Sequence, residues 1–259
     1  MIITTKKELD LYKQACLLST QILKQLKDAV KPDIYPIEID QLADQLCVQH
    51  NVIPSFRGVK NKDKVYQYAT CISINDAVVH GVPSKTKKIQ IGDLVKVDFG
   101  IYYQNIYTDH CFTVAVKKLS PKNKKLILAA KKAVQSSIPI AITGNTVGDL
   151  GHLMQTIAVN NGFDVLKQYT GHSIGKTLHE PPTIPAHGQK GEGQVLKKGM
   201  VLCLEAQLVT GSDQVFIDKD GWTVKMKDGG NTAMFEYMIV VQDKKPILLT
   251  PTLNWPIIV

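Results

Sequence analysis

Residues 201–209 read VLCLEAQLV, an apolar run of strand length that is broken at its centre by Glu205. A second run of the same character, AMFEYMIVV at 233–241, carries Glu236. Nine residues rich in aliphatic and β-branched side chains predict buried strands. A carboxylate inside a buried strand is costly unless it is paired or bound to a metal. The two glutamates are therefore predicted to be paired or bound to a metal, with an edge strand that has one polar face as the alternative.

Two aspartates and a histidine lie in similar stretches. In VKVDFG, the strand alternation turns Asp98 away from the apolar positions, and Asp109 lies in YTDHCFTVAV. A hairpin that turns near Gln104 would bring both aspartates to one side of neighbouring strands. His172 lies in TGHSIG, where flanking glycines let the backbone turn tightly. Solvent-facing aspartates and a structural histidine are the alternative interpretation.

Together these residues form a hard, mostly anionic donor set. Such a set suits two divalent cations that share bridging carboxylates, and it does not suit a structural zinc, which prefers cysteine and histidine at short spacing. The predicted metal ligands are Asp98, Asp109, His172, Glu205 and Glu236. Two further histidines, His80 in AVVHGVP and His179 before a Pro-Pro pair, are predicted at the rim of the same site.

The length and composition limit the kind of protein that the sequence can encode. A chain of 259 residues with 44% hydrophobic and 21% charged residues can bury one substantial core. No apolar run approaches the roughly 20 residues that cross a bilayer, and the first ten residues lack the apolar core of a secretory signal. The five cysteines form no CxxC pair, so reduced thiols are expected. We therefore expect a cytoplasmic protein without membrane contact.

The net charge of +8 comes almost entirely from lysine, because Arg57 is the only arginine. Proteins that recognise base sequence rely on arginine for bidentate contacts, so sequence-specific nucleic-acid binding is not expected. A lysine-coated surface is the simpler interpretation. Weak attraction to a polyanion such as the ribosome is the alternative.

The order of the predicted elements indicates an α+β fold. Helical periodicity predicts helices over 5–30, 37–51, 121–142 and 147–161, each pair being followed by strands. The predicted strands are 69–74, 94–99 and 107–116, then 169–173, 201–209, 222–224 and 233–241. No linker divides the chain. We expect one catalytic domain over 1–259, with two related halves at about 1–120 and 121–250.

The motifs resemble those of a known family. NDAVVHGVP, VDFG followed by TDHCFTV, GHSIGKTLHEPP, and the glutamates of LCLEAQLV and TAMFEY are similar to the type I methionine aminopeptidases. The similarity runs from about residue 4 to residue 250. These enzymes belong to the creatinase-like metallopeptidases of family M24. The resemblance implies a pita-bread fold, in which two pseudo-symmetric halves form an antiparallel sheet covered by helices.

The resemblance also implies roles for the metal ligands. Asp98 would bind one of two divalent ions, Asp109 and Glu236 would bridge the pair, and His172 and Glu205 would complete the other. Cobalt, manganese, iron and zinc all tolerate such a ligand set.

A monovalent cation would fall at Asn75, the backbone of Ala77 and Thr232. In the family's mechanism a metal-bridged hydroxide attacks the first peptide bond, and Glu205 moves the proton to the leaving amine.

Substrate contacts follow from the same resemblance. His80 and His179 would contact the scissile amide and act in catalysis beside Glu205, and the resemblance implies that Cys71, Tyr169 and Trp222 line the pocket for the first side chain. Aromatic residues from the segment FRGVKNKDKVYQYATC at 56–71 would complete that pocket, the candidates being Phe56, Tyr66 and Tyr68. Four positions depart from the family pattern and are expected to touch its walls: Ser173, Leu178, Ala206 and Tyr237.

The implied function is removal of the N-terminal methionine from nascent proteins by a monomeric enzyme. Its partners would be nascent polypeptide N-termini, with weak ribosome association through the lysines. One alternative is a related aminopeptidase with a different first-residue specificity. Another is a non-catalytic binding protein on the same fold, although such members lose metal ligands and all five are present here.

Overall fold

The computed structural model of the protein describes all 259 residues. Three of the four helices begin at a residue whose side chain caps the first turn. Thr5 and Glu8 form a reciprocal capping box at the first helix, and Thr146 and Asp149 form one at the last. Pro121 occupies the first turn of the third helix, where no amide hydrogen is needed. The helices are α1 (Lys6–Ala29), α2 (Pro36–Gln49), α3 (Pro121–Ser137) and α4 (Val147–Asn160), with a 3-10 turn at Ile138–Ile140.

Seventeen strands, most of them short, make up the sheets. In the first half of the chain they are β1 (Ile53–Pro54), β2 (Lys60–Asn61), β3 (Lys64–Val65), β4 (Thr70–Ile74), β5 (Ala77–Val79), β6 (Leu94–Phe99), β7 (Ile101–Tyr103), β8 (Ile106–Tyr107) and β9 (His110–Ala115). In the second half they are β10 (Asp164–Val165), β11 (Gly171–Ser173), β12 (Glu180–Ile184), β13 (Val201–Val209), β14 (Val215–Ile217), β15 (Val224–Met226), β16 (Thr232–Val240) and β17 (Ile247–Leu248).

The sequence located the long elements to within a few residues and failed at irregular places. The helix expected to run to residue 142 ends at Ser137 because the chain tightens into the 3-10 turn before Pro139 can continue it. The strand expected over 107–116 is interrupted between β8 and β9. The strands predicted at Tyr169 and Trp222 start later, so both residues lie in connecting segments.

Two sheets meet at the centre of the molecule. The larger has the strand order β12-β11-β13-β16-β17 with β10 on β13, and the smaller has the order β4-β6-β9, both antiparallel. The Thr113 hydroxyl of β9 donates to the Met234 carbonyl of β16 at 2.6 Å and accepts from the Met234 amide at 2.9 Å. This side-chain bridge replaces a ladder hydrogen bond and joins the two sheets edge to edge.

Helices cover one side of these strands. Helices α1 and α2 pack together and against strands of the first half, and α3 and α4 pack against β13, β16, β10 and β12. The main core cluster lies between the helices and the sheets. The predicted α+β class, with antiparallel sheets covered by helices, is confirmed. The division at about residue 120 into related halves stays a prediction. None of the helices combines the length and apolar character that crossing a bilayer requires.

A buried carboxylate fixes the start of β4. Asp40 of α2 is 3% exposed, and one of its oxygens accepts hydrogen bonds from the amides of Ala69 and Thr70 at 2.9 and 2.8 Å and from the Thr70 hydroxyl at 2.8 Å. These amides precede Cys71, which lies on the wall of the central cavity. Asp40 therefore positions that wall from the helix layer.

We predict that Asp40→Ala lowers the free energy of unfolding by about 3 kcal/mol, because three buried donors lose their acceptor. Urea denaturation followed by circular dichroism measures this. The matched control is Asp44→Ala one turn along α2, which removes an exposed ion pair with Arg57 and should cost at most about 1 kcal/mol. Equal losses in the two variants would contradict the role of Asp40.

Candidate metal centre and active site

The paired strands bring the predicted acidic residues together. Glu205 and Glu236 lie directly opposite each other in the β13–β16 register. Asp98 lies on β6, and Asp109 immediately precedes β9, which pairs with β6. The connection between them turns at Gln104, as the sequence predicted. All four carboxylates line one cavity, together with His172 of β11.

The ligand atoms fall into overlapping groups whose members lie within 4.8 Å of one another. One group joins Asp98 to Asp109 and Glu236. Two others contain His172, one of them with Asp109 and one with Glu236. Asp109 and Glu236 are therefore shared between an Asp98 side and a His172 side. Carboxylates shared in this way are common ligands of divalent cations, so the arrangement fits divalent metal binding.

The electrostatics of the cluster call for positive charge. One oxygen each of Asp98, Asp109 and Glu236 is buried without a hydrogen-bond partner. Burial raises the pKa of Asp98 to about 7 and, with the charge of Asp98, that of Glu205 to about 8. Burial and neighbouring carboxylates raise the pKa values of Asp109 and Glu236 well above the usual range. Divalent cations would use the free oxygens and remove this repulsion, so the residues fit the metal.

His172 has the form of a metal ligand. Gly171 lets its strand approach β13 closely, because a Cβ there would lie 2.4 Å from the Cys203 carbonyl oxygen. The His172 Nδ1–H donates to the Ser173 carbonyl at 3.0 Å, which leaves the Nε2 lone pair 3.8 Å from Asp109. Burial lowers the pKa of His172 to about 4, so the ring is neutral at neutral pH. A lone pair facing a carboxylate is repulsive unless a cation lies between them.

His80 and His179 lie at the rim, where they were predicted. The rings of His172 and His179 meet edge to face with centroids 4.4 Å apart, and His179 is exposed. His80 ends β5 with a φ of 55°, a conformation that is uncommon outside glycine and frequent at functional sites. Its ring meets that of Tyr169 edge to face at 5.3 Å. Burial lowers the pKa of His80 to about 4. Both histidines face the cavity.

The cavity has a volume of about 420 Å³ and an apolar end beside the acidic cluster. Cys71, Tyr169 and Trp222 line it as predicted, and so do Phe56 and Tyr66. The ring of Tyr66 meets that of Trp222 edge to face at 5.1 Å, and its hydroxyl donates to the Thr70 carbonyl at 2.8 Å. The third candidate, Tyr68, does not line this cavity and packs behind Tyr66 instead.

Three of the four departures from the family pattern lie away from the cavity, so the expectation that they touch its walls is wrong for them. Ala206 and Tyr237 belong to the core on the helix side, because they alternate with Glu205 and Glu236 along their strands. Ser173 donates its hydroxyl to the Val201 carbonyl at 3.0 Å. Leu178 alone lines the cavity.

Three polar residues that line the cavity were missed from the sequence. Gln207 is fully buried and donates its amide to a Glu205 carboxylate oxygen. Its position two residues after Glu205, on the same strand face, was the available signal. Lys60 and Asn61, at the tip of the β2–β3 hairpin, also line the cavity. Both residues belong to β2, which pairs with β3 in a short hairpin.

The oxygens predicted for a monovalent cation are approached by Lys96. Its Nζ lies 3.0 Å from the Asn75 carbonyl oxygen and 3.1 and 3.0 Å from the carbonyl and hydroxyl oxygens of Thr232. The Thr232 hydroxyl also donates to the Ala77 carbonyl at 3.2 Å. Burial lowers the pKa of Lys96 to about 7, while three oxygen acceptors, one for each N–H, favour the charged form.

We predict that the metal-free protein loses stability as the pH rises from about 6.5 to about 8, above the range in which His80 and His172, whose pKa values are lowered to about 4, contribute with the opposite sign. The folded chain holds protons on the raised carboxylates at pH values where the unfolded chain has released them, so unfolding becomes easier as the pH climbs. The melting temperature should fall by roughly 5 °C or more over this range.

Differential scanning fluorimetry of protein treated with EDTA measures the change. Asp98→Asn, which removes one of the titrating groups, is the control and should show a shallower fall. A melting temperature that rises between these pH values in the metal-free protein would contradict the prediction.

Comparison with known proteins agrees with this arrangement. Residues 10–243 match the model of metallopeptidase family M24. A methionine aminopeptidase of Aquifex aeolicus is 35% identical over 95% of this chain and 97% of its own. The crystal structure of the Thermotoga maritima methionine aminopeptidase superposes with a TM-score of 0.92 at 34% identity, covering 96% of this chain and 99% of that one.

A more distant structure shares the fold alone. The Xaa-Pro dipeptidase of Bacillus anthracis superposes with a TM-score of 0.79 at 21% identity, and this chain covers 64% of it. Family model, full-length relatives and superposition all agree with the residues gathered around the cavity. The chain belongs to metallopeptidase family M24, among the methionine aminopeptidases.

Proposed function

We propose that this chain is a metal-dependent methionine aminopeptidase whose active site is the acidic cavity. The observation that carries the proposal is the sharing of Asp109 and Glu236 between an Asp98 side and a His172 side. The buried oxygens without partners add to it, because they offer free ligand positions. A binding protein on the same fold would have no need to keep a buried cluster of repelling carboxylates.

The roles of Asp98, Asp109, His172 and Glu236 follow from this grouping, and that of Glu205, which lines the same cavity outside the groups, follows from the family resemblance. Asp98 would hold one divalent cation, His172 and Glu205 the other, and Asp109 and Glu236 both. Bound there, the cations supply Lewis acidity to the attacking water and to the substrate carbonyl. Cobalt, manganese, iron and zinc all accept carboxylate and imidazole donors, so the ligand set is compatible with each of them.

Glu205 is the residue proposed to move the proton. Its carboxylate lies at the cavity surface between Glu236 on the neighbouring strand and the side chain of Gln207. The Gln207 amide donates to one oxygen and so holds the carboxylate in one orientation. The same carboxylate that would hold the cation is thereby placed to take a proton from water and to deliver it to the leaving amine.

His80 and His179 are proposed to bind the scissile amide from the rim. Both rings line the cavity, and His179 lies next to the ligand His172. A neutral imidazole N–H can donate to the developing oxyanion or to the substrate carbonyl. The burial that lowers the pKa of His80 keeps its ring neutral over the physiological range.

The apolar end of the cavity is proposed to take the first side chain. Phe56, Tyr66 and Trp222 supply aromatic faces and edges, and Cys71 and Leu178 supply smaller apolar surface. A thioether makes favourable contacts with aromatic rings, and an unbranched chain can follow a narrow slot. These contacts favour methionine over branched or charged side chains.

The natural substrates are proposed to be the N-termini of newly made polypeptides in the cytoplasm. All five cysteines are unpaired and buried, which fits a reducing compartment. The excess of lysine would favour weak association with ribosomes. One chain supplies every residue that the proposed chemistry uses, so a monomer suffices.

We predict that metal-loaded protein releases methionine from Met-Ala-Ser and that chelation abolishes the release. Asp98→Asn and Glu205→Gln should each lower kcat/KM by about a thousandfold or more, because each removes a charged group from the reacting centre. Liquid chromatography of the products, with metal analysis of each variant, measures this. Asp243→Asn, which breaks an exposed ion pair with Lys198, is the control and should keep full activity. Near-normal turnover by Glu205→Gln would exclude the proposed proton transfer.

We predict that the enzyme prefers methionine and accepts norleucine, with valine and lysine strongly disfavoured. Rates on a panel of X-Ala-Ser tripeptides test this order. Trp222→Ala should lower kcat/KM for Met-Ala-Ser by roughly 10- to 100-fold by removing aromatic contact, while the bound metal stays unchanged. A panel in which another first residue exceeds methionine would favour the related aminopeptidase with a different specificity.

A further inference from the structure

Four main-chain and hydroxyl oxygens converge where β16, the strand of Glu236, meets the turn between β4 and β5. They belong to Asn75, which turns the chain between β4 and β5, to Ala77, and to Thr232 at the start of β16. The Thr232 hydroxyl lies 3.1 and 3.2 Å from the carbonyl oxygens of Asn75 and Ala77 and shares its single hydrogen between them. Converging neutral oxygens of this kind form a site for a cation of low charge.

The chain supplies that cation itself. Lys96 is 1% exposed, and its Nζ makes three contacts of 3.0 to 3.1 Å, with the Asn75 carbonyl and with both oxygens of Thr232. Its side chain forms none of the ion pairs with carboxylates found in the structure. Neutral oxygen dipoles therefore surround this ammonium, as they surround a bound sodium or potassium ion.

The position of Lys96 connects this contact to the active site. Lys96 lies two residues before Asp98 on the same face of β6, a separation of about 7 Å along a strand. Thr232 and Glu236 lie on one face of β16. The ammonium thus ties together the two strands that carry Asp98 and Glu236, and it does so from within the site's own layer of side chains.

Asn75 holds its side of the contact through a separate set of hydrogen bonds. Its side-chain amide donates to Asp93 at 2.8 Å, and its side-chain oxygen accepts from the Leu94 amide at 2.9 Å. The residue has a φ of 54°, which aims its carbonyl inward toward Lys96. The acceptor is therefore fixed before the lysine reaches it.

We infer that Lys96 is a positioning residue, whose tethered ammonium takes the place of a free monovalent cation and sets the spacing of the strands that carry Asp98 and Glu236. The inference rests on the proposed function in one respect, which is that the spacing of these strands matters for the metal site. The wild-type protein then needs neither sodium nor potassium. Removing the side chain opens a site that either ion can fill.

The experiment compares wild type, Lys96→Ala and Lys87→Ala, in which an exposed lysine is removed. Melting temperatures are measured on metal-free protein in choline chloride, sodium chloride and potassium chloride at equal ionic strength. Wild type and Lys87→Ala should melt alike in all three salts. Lys96→Ala should melt about 5–10 °C lower in choline, because three buried acceptors lose their donor, and should recover at least half of that in sodium or potassium.

The affinity for Mn²⁺ provides a second readout. If Lys96 had only a structural role, this affinity would not depend on which salt is present. By isothermal titration calorimetry, Lys96→Ala should bind Mn²⁺ about 10-fold more weakly than wild type in choline, and sodium or potassium should restore the binding. An identical salt response of Lys96→Ala and wild type, or a wild type that itself requires sodium or potassium, would overturn the inference.

A second variant and a measurement that does not depend on activity keep the test decisive. If Lys96→Ala does not fold, Lys96→Met fills the space without charge and should show weakened Mn²⁺ affinity that no salt restores. Wild-type affinity in that variant overturns the inference. The melting comparison uses metal-free protein, so an absence of Met-Ala-Ser hydrolysis would refute the proposed function and leave the result on Lys96 intact.

Discussion

Mutual repulsion among buried carboxylates is the constraint on which the rest of the structure depends. Asp98, Asp109, Glu205 and Glu236 are held close together by strand pairing, with burial raising their pKa values. Such a cluster persists only if the surrounding fold is rigid enough to bear it. The long β13–β16 ladder, the Thr113 bridge between the sheets and the helix layer behind them provide that rigidity. The repulsion lowers the stability of the fold, and the rigid strands keep the carboxylates in a geometry that can bind a cation.

Each central strand has one face toward the core and one face toward the cavity, which explains how the same strands build both. Along β13 and β16, alternate residues face either the helices or the cavity. Tyr237 and Ala206 belong to the first set and Glu236 and Glu205 to the second. Substitutions that look close to the active site in the sequence therefore act on packing, whereas a change at Leu178 acts on the substrate slot.

Much of the architecture and the candidate site could be predicted from the sequence, because long apolar strands with a single carboxylate carry a strong signal. The burial of Glu205 and Glu236 in two central strands followed from that pattern, and alternation along the strands indicated the hairpin between Asp98 and Asp109, whereas the direct pairing of the two glutamates did not follow from the sequence. Contacts made across the fold were not predictable in this way. Lys96 was visible as a polar residue on the Asp98 face, but its acceptors lie up to 136 residues away in the chain. Tyr169 and Trp222 line the cavity from connecting segments, whose paths depend on tertiary contacts rather than on periodicity.

The contact between the β2–β3 hairpin and the segment around Trp222 has a consequence for the apolar end of the cavity. Lys64 of the hairpin donates to the Asp220 carbonyl at 3.0 Å, and the Tyr66 ring packs edge to face on the Trp222 ring. Two segments about 150 residues apart in the chain are thereby joined beside the cavity that Tyr66 and Trp222 line. The shape of this aromatic wall therefore depends on a tertiary contact, and neither segment sets it alone.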